Sequence, residues 1–156
     1  CGFNKTRIGL NAKIRDHNEF TEHTPMIGDR VICLKNNKRS NVPLYNGAHG
    51  TIRHITKNSH LDFARSVIEM DGVNEDMFRG KMLYGAFAKE KFNSYETGPG
   101  KEVFDYGYAI TAHKSQGSEF EKVMVIEEGK YVWRENWNKW LYTAVTRSSD
   151  ELLIVG

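Results

Sequence analysis

Residues 123–156 read VMVIEEGKYVWRENWNKWLYTAVTRSSDELLIVG, and their order of apolar runs indicates the fold class. Its first and last apolar runs, VMVI and LLIV, have the length and composition of buried strands. Between them, apolar residues recur at three- and four-residue spacing, which predicts a helix with one apolar face: Trp137, Trp140, Leu141 and Ala144. A strand, a helix and a second strand in this order are typical of an α/β domain, in which helices cover a parallel sheet.

A polar loop, TAHKSQGSE at residues 111–119, comes shortly before this stretch and directly after a further predicted strand, FDYGYAI at 104–110. In open α/β sheets, ligands bind beyond the carboxyl ends of the strands, where loops converge and small residues let the backbone approach a phosphate. The loop therefore has the position of a ligand-binding loop. The alternative is a polar loop that only turns the chain.

The side chains of this loop suit a nucleotide. Thr111 and Ser115 can donate hydrogen bonds to phosphate oxygens, and Lys114 can supply positive charge. Gly117 allows a close backbone approach, and Glu119 can accept a hydrogen bond from a sugar hydroxyl.

Arg147 stands between the predicted helix and the last strand. An arginine at such a helix end can reach out of its domain and stabilise charge on a transferring phosphoryl group. The alternative is a solvated arginine, which the helix dipole favours near a C-terminus. The residues alone leave both interpretations open.

Residues 25–100 have a different pattern, in which short strands are separated by glycine turns. Three segments show it: PMIGDRVICLKNN, YNGAHGTIRHI and ARSVIEMDG. This pattern predicts a small β-barrel. Residues 82–92 fit either a strand or a short helix, and residues 93–100 predict a loop. We expect the barrel at 25–100 to be inserted into one α/β domain made of residues 1–24 and 101–156.

The composition limits the possible functions. With 156 residues, of which 39% are hydrophobic, the chain can bury one core, or one core with a small satellite. The net charge of +2 does not indicate nucleic-acid binding over the whole surface, so such a site must be local. Cys1 and Cys33 form neither a disulfide framework nor a metal-binding pattern, and we expect a reduced, cytoplasmic setting with no membrane partner.

Residues 1–20 predict the end of a strand followed by a helix. Because no strand precedes this end, we expect the chain to be a fragment of a larger protein, with Cys1 at its cut edge.

In order and spacing, YAITAHKSQGSEF and LYTAVTR resemble motifs V and VI of superfamily 1 helicases, most closely the RecD-like branch of superfamily 1B. CGFNKTRIGLNAKIR is similar to the motif IV region of that branch, and GDRVICLKNN with YNGAHGTI resembles its inserted SH3-like subdomain 2B. The resemblance implies an incomplete RecA-like, P-loop-type parallel sheet, the second motor domain 2A, with the small SH3-like β-barrel inserted at 25–100.

The resemblance also implies roles for single residues at the nucleotide. In this family, ATP lies between two RecA-like domains, and Arg147 would contact its γ-phosphate from the second one. Gly117 and Glu119 would approach the nucleotide, the glutamate through the ribose. Asn4 and Arg7 match the motif IV region, although the aromatic-arginine pair of the related UvrD-like branch is absent there.

Two sets of residues would contact single-stranded DNA. By resemblance, Thr111, His113 and Lys114 would bind the DNA backbone, while His113 alone could instead fix its loop through a hydrogen bond. On the barrel, positive charges and an aromatic ring stand near two loops, which suits a single-stranded backbone with a base stacked on the tyrosine: Lys35, Lys38, Arg39, Tyr45, Arg53 and His54. Basic loops that are merely solvated are the alternative.

The chain contains no GxxxxGK[ST] stretch and no identifiable Walker B pair, so we expect it not to hydrolyse ATP alone. ATP and Mg²⁺ would bind only in the full-length enzyme, with an N-terminal RecA-like domain that this sequence lacks. We therefore expect part of an ATP-dependent DNA helicase, moving 5′ to 3′ by resemblance to its branch. Two alternatives remain: a stand-alone nucleic-acid-binding module, and a structural domain whose loops serve only packing.

Overall fold

A computed structural model describes residues 1–58, 60–73, 76–84, 86–90, 97, 100–128 and 134–156. The chain forms two units. We name them the terminal unit, Cys1–Leu10 with Ala109–Gly156, and the central unit, Asn11–Tyr108. The first helix, α1, runs from Asn4 to His17 and has residues in both. In the part of the chain that the structure describes, no helix has the length and apolar character needed to cross a bilayer.

The central unit is built on a five-stranded antiparallel sheet with the strand order β4-β3-β2-β1-β5. The strands are β1 (Arg30–Cys33), β2 (His49–Thr56), β3 (Phe63–Met70), β4 (Met77–Leu83) and β5 (Phe104–Tyr106). Fully buried and more exposed residues alternate along β3, because successive side chains of a strand point to opposite faces. The inner face forms one apolar core that includes Val31, Leu44, Ile52, Ile68, Phe78, Met82 and Phe104.

The two edges of this sheet are linked. Glu102, which lies shortly before β5, forms a parallel bridge with Met82 of β4. The backbone N–H of Leu83 donates to the carbonyl oxygen of Glu102 over 3.0 Å. The N–H of Glu102 donates in turn to the carbonyl oxygen of Lys81 over 2.7 Å. These bonds join β4 to the chain that leads into β5, so part of the edge that an open sheet would expose is paired.

A buried ion pair connects α1 to the start of β1 within the central unit. Arg15 Nε donates to Asp29 Oδ1 over 2.8 Å, and Arg15 Nη2 donates to Asp29 Oδ2 over 3.1 Å. The side chain of Asp29 is fully buried, and that of Arg15 is 7% exposed. Asp29 also accepts hydrogen bonds from the Met26 N–H and the Tyr108 hydroxyl, so its acceptor positions are well filled.

The terminal unit has a parallel pair of strands and a covering helix. The strands are β6 (Phe120–Ile126) and β7 (Ser148–Val155), and between them a 3₁₀ turn at Arg134–Asn136 leads into α2 (Trp137–Val145). The buried apolar cluster of the terminal unit includes Ala112, Val125, Trp140 and Ala144. The helix predicted with one apolar face is confirmed, since Trp140 and Ala144 are its buried residues.

The structure is mixed α/β, and its sheet is mostly antiparallel. The strand predicted at 104–110 covers only Phe104–Tyr106, and it pairs antiparallel with β1 in the central unit, not in a parallel sheet. Parallel pairing is found between β6 and β7. The RecA-like sheet, the SH3-like barrel and the domain boundaries at 1–24, 25–100 and 101–156 remain predictions.

Two local predictions need comment. The last strand exists but is not buried, because Leu152, Leu153, Ile154 and Val155 are 42–53% exposed. The start of the ambiguous segment 82–92, Met82 and Leu83, belongs to β4. The predicted loop at 93–100 lies outside the described residues except for Thr97 and Gly100.

Candidate functional site

The loop at 111–119 is folded by its own hydrogen bonds. The Thr111 carbonyl accepts from the N–H groups of Lys114 and Ser115, at 2.9 and 3.1 Å. Ser115 is buried, and its Oγ donates to the carbonyl of Ala112 over 2.7 Å. The Ser115 hydroxyl, which by its type could donate to a phosphate, thus bonds within its own loop. Gly117 has φ +84°, a backbone conformation that favours glycine.

Arg147 connects the end of α2 to this loop. Its Nη1 donates to the carbonyl of Ser118 over 3.2 Å, and its Nε donates to the carbonyl of Thr143 over 3.1 Å. Nη2 lies 3.0 Å from Thr146 Oγ1. The backbone carbonyl of Arg147 also accepts from the N–H of Phe120 over 2.9 Å. The structure therefore brings the two predicted clusters together, with the guanidinium held by neutral oxygen atoms of its own unit.

The other loop residues differ in burial. Thr111 is buried, whereas His113, Lys114, Gly117 and Glu119 are exposed. Exposed side chains on a loop with internal hydrogen bonds can be reached by a ligand at the surface without unfolding of the loop.

A cavity of about 360 Å³ lies between the loop and α2, within the terminal unit. Its lining includes His113 and Gln116 from the loop, and Lys139 and Thr143 from the helix. The ring of Trp140, which is 5% exposed, also contributes to its wall. Cavities of this size, with an apolar wall and a few polar groups, are suited to holding part of a ligand.

The predicted motif IV residues lie on the first turn of α1. Arg7 is 8% exposed, and its Nε donates to Asn4 Oδ1 over 3.2 Å. The start of this helix is also held by Glu128, whose Oε1 accepts from the N–H groups of Gly2 and Phe3 at 2.7 and 2.8 Å. A carboxylate at this end satisfies donors that the helix leaves unpaired and complements its dipole.

The predicted barrel contacts, Tyr45 and Arg53, lie in the central unit. The Tyr45 side chain is 52% exposed in the segment before β2. Arg53 lies at a register shift in β2 and is ion-paired with Glu69 of β3. The tyrosine ring is thus open to solvent, while the arginine is already partnered by a carboxylate.

Several residues that the geometry places at the site were missed from the sequence. Ser118 contributes through its backbone carbonyl, which no side-chain pattern indicates. Gln116, Asn136 and Lys139 line the cavity. The helical spacing of Asn136, Lys139 and Thr143 was a usable signal, because residues three and four apart share a face. Among the described residues, no cluster of three His, Cys, Asp or Glu side chains is arranged to hold a metal ion.

Residues 106–155 match the family model of the UvrD-like helicase C-terminal domain. An uncharacterized protein of Methanocaldococcus jannaschii is 30% identical over 132 residues, which are 83% of this chain and 10% of that protein. The chain thus spans about a tenth of the length of this curated relative.

Solved structures of a bacterial helicase also match this chain. The Pif1 helicase from Bacteroides, crystallised with ADP-AlF3 and ssDNA, matches with a TM-score of 0.62 at 18% identity, covering 100% of this chain and 39% of that one. Unliganded Pif1 from Bacteroides sp. matches with a TM-score of 0.43 at 19% identity, and the match covers 83% of this chain and 35% of that one. The family match covers residues 106–155, and the similarity to the liganded Pif1 structure shows a shared fold.

Proposed function

We propose that this chain is part of the second motor domain of an ATP-dependent DNA helicase of the RecD-like branch, which moves 5′ to 3′ on single-stranded DNA. In this proposal, residues 1–24 and 101–156 belong to a RecA-like sheet, and residues 25–100 are its SH3-like insertion. The observation that carries the proposal is the hydrogen bond between Arg147 and the Ser118 carbonyl, which joins the helix end to the polar loop.

Arg147 is the group proposed to act on ATP. Its present acceptors at Ser118 and Thr143 are neutral carbonyls. Hydrogen bonds from a guanidinium to a phosphate are shorter and stronger than those to a neutral oxygen. A γ-phosphate presented by the other motor domain can therefore replace the Ser118 contact. Its arrival would release the loop at Ser118, and this exchange couples the nucleotide to the loop.

Around that arginine, Gly117 and Glu119 would meet the nucleotide, with the glutamate accepting from the ribose. Asn4 and Arg7 would line the nucleotide side through the start of α1. ATP and Mg²⁺ enter only in the full-length enzyme, because this sequence has no phosphate-binding P-loop.

Single-stranded DNA is the proposed polymer substrate. Pif1 was crystallised with ssDNA, and its fold is shared by this chain. Thr111, His113 and Lys114 would contact the sugar-phosphate backbone, and His113 lines the cavity beside α2. In the central unit, Tyr45 has an exposed ring on which a base can stack, and Arg53 would exchange its Glu69 partner for a phosphate.

The test is to replace Arg147 by alanine in the full-length helicase. We expect the rate constant of ATP hydrolysis to fall by about 10³-fold or more, as for loss of an arginine that stabilises transition-state charge. Single-stranded DNA affinity should change by less than about twofold, since the guanidinium acts on the transition state. The matched control is Lys122→Gln, which removes an exposed cation of the same unit. Equal hydrolysis by Arg147→Ala and wild type would refute the arginine's role.

The second candidate is a nucleic-acid-binding module without motor activity. It is favoured by the cavity lined by His113 and Lys139, because an imidazole and an ammonium group beside one cavity suit a phosphate. Fluorescence anisotropy of a labelled single strand with the full-length protein, measured with and without ATP, separates the two. A helicase should change its DNA affinity with nucleotide, whereas the module should bind equally under both conditions.

A further inference from the structure

The outer face of strands β2, β3 and β4 in the central unit carries a group of positive charges. The register pairs Arg65 with Lys81 and Val67 with Arg79 across β3 and β4. On the other side of β3, Val67 is paired with His54 of β2. Because paired residues project to the same side of a sheet, these side chains share one surface, which we name the basic face: His54, Arg65, Arg79 and Lys81.

All four residues of the basic face are exposed. They border a groove of about 360 Å³, to which Val67 and Gly80 also contribute. The burial pattern of β3 places its other residues, such as Ile68, in the core on the opposite side. The charges therefore stand on the solvent side of a rigid sheet and not on flexible loops.

Two described carboxylates close to the basic face are engaged in other ion pairs. Glu69, on the same side of β3, is ion-paired with Arg53. Asp62, just before β3, is ion-paired with Lys101. Among the ion pairs that join described residues, none includes Arg65, Arg79 or Lys81.

This arrangement is unfavourable for the isolated sheet. Like charges directly opposite each other across two strands destabilise the pair, and Arg65 and Lys81 have that relation. A polyanion laid across the face would offset the repulsion. Cations on neighbouring strands stand about 5 Å apart at Cβ, and Arg79 and Lys81, two residues apart on β4, stand about 7 Å apart. A row of phosphates can therefore meet several of them at once.

We propose that the basic face binds the phosphate backbone of duplex nucleic acid. Single strands are usually held by aromatic side chains on which bases stack, in addition to positive charge. Among the described residues of β2, β3 and β4, the aromatic ring on this face is that of Phe63. Two ammonium groups cover it, with Lys81 Nζ at 5.0 Å and Lys101 Nζ at 5.4 Å from its centroid. The face thus offers charge without an open stacking surface, which suits a duplex whose bases are already stacked.

The basic face adjoins Arg53, whose partner Glu69 lies on the same side of β3, but Arg65, Arg79 and Lys81 are not among the residues proposed to contact single-stranded DNA. Its chemistry does not require motor activity. The test compares two variants of the full chain that each lose two exposed positive charges. Arg65→Gln with Arg79→Gln removes charges from the basic face. Lys5→Gln with Lys13→Gln removes exposed charges from α1 as the matched control. The probe is a labelled duplex and its single strand, each measured by anisotropy across a salt series.

We expect the basic-face variant to reduce the slope of log K against log salt for the duplex by about 1.8, since each lost phosphate contact accounts for about 0.9. If the two contacts act only by counterion release, they contribute nothing to the affinity near 1 M salt. Their loss then lowers duplex affinity at 0.1 M salt by about 60-fold. The control should keep the wild-type slope, and single-strand affinity of both variants should stay near wild type.

Three results would overturn the proposal. Equal losses in the two variants would show that only overall charge matters. A loss confined to the single strand would assign the face to that ligand. Absence of salt-dependent duplex binding by the wild-type chain would exclude a duplex-binding role for the basic face. Because the Arg147 experiment measures hydrolysis, failure of either proposal is visible without the other.

Discussion

Replacement of Asp29 by asparagine should strongly destabilise the chain. The carboxylate is fully buried and accepts two hydrogen bonds from Arg15, at 2.8 and 3.1 Å, one from the Met26 N–H at 2.7 Å and one from the Tyr108 hydroxyl at 2.9 Å. An asparagine removes the negative charge and turns one acceptor oxygen into a donor that faces other donors. The Arg15 guanidinium is then left buried without its counterion, a change that costs about 3–5 kcal/mol.

The measurement is urea unfolding of Asp29→Asn and of a matched control, Asp71→Asn. Arg30 and Asp71 form a similar two-contact pair, but their side chains are 34% and 51% exposed, so water screens the charges. An exposed pair of this kind contributes about 0–1 kcal/mol. In thermal unfolding, each 1 kcal/mol lowers the Tm by about 2–4 °C in a chain of this size. If Asp29→Asn is no more destabilising than Asp71→Asn, burial does not determine the strength of the pair and the reasoning fails.

Two further predictions concern a buried histidine and a helix end. Burial, and secondarily the nearby Arg30, lower the pKa of His49. Below about pH 6.5 the unfolded state therefore binds more protons than the folded state. The unfolding free energy then falls with pH, by at most about 1.4 kcal/mol per pH unit. His49→Gln should flatten the dependence of the unfolding free energy on pH relative to wild type and to the exposed control His60→Gln; an unchanged slope would assign it to other groups. Glu128→Gln should lower the unfolding free energy by about 1–2 kcal/mol, because charged hydrogen bonds to Gly2, Phe3 and Thr6 are weakened. Glu151→Gln, an exposed acid of the same unit, is the control, and equal stability of the two variants would contradict a capping role.

Much of the local structure could be predicted from the sequence because it depends on neighbouring residues. The period of Trp137, Trp140 and Ala144 indicates one face of α2, and these residues do lie on a helix whose Trp140 and Ala144 are buried. Glycine turns such as Asp71-Gly72 separate strands that the structure contains, with Gly72 at φ +73°. Periodicity and turn chemistry are local, so a single sequence carries them.

Pairing between strands that are distant in the chain could not be predicted from the sequence to the same extent. The run FDYGYAI has the composition of a strand in either kind of sheet, and only its partner decides which. Phe104 pairs with Cys33, a residue more than seventy positions earlier, and this contact makes β5 antiparallel. The basic face was missed for the same reason. Arg65, Arg79 and Lys81 look like scattered surface charges until the register of β3 and β4 sets two of them directly opposite each other.

The site itself shows the limit most clearly. The sequence predicted Arg147 and the loop 111–119 as two separate candidate clusters. The hydrogen bond that connects them uses the backbone carbonyl oxygen of Ser118, a group that every residue type possesses. The same backbone contact bears on how Arg147 variants are interpreted. Lysine at position 147 would keep the positive charge but lose the fork with which the guanidinium bonds to Ser118 and Thr143 together. If Arg147→Lys retains DNA affinity yet loses the effect of nucleotide on it, the forked contact, and not charge alone, links the helix to the loop.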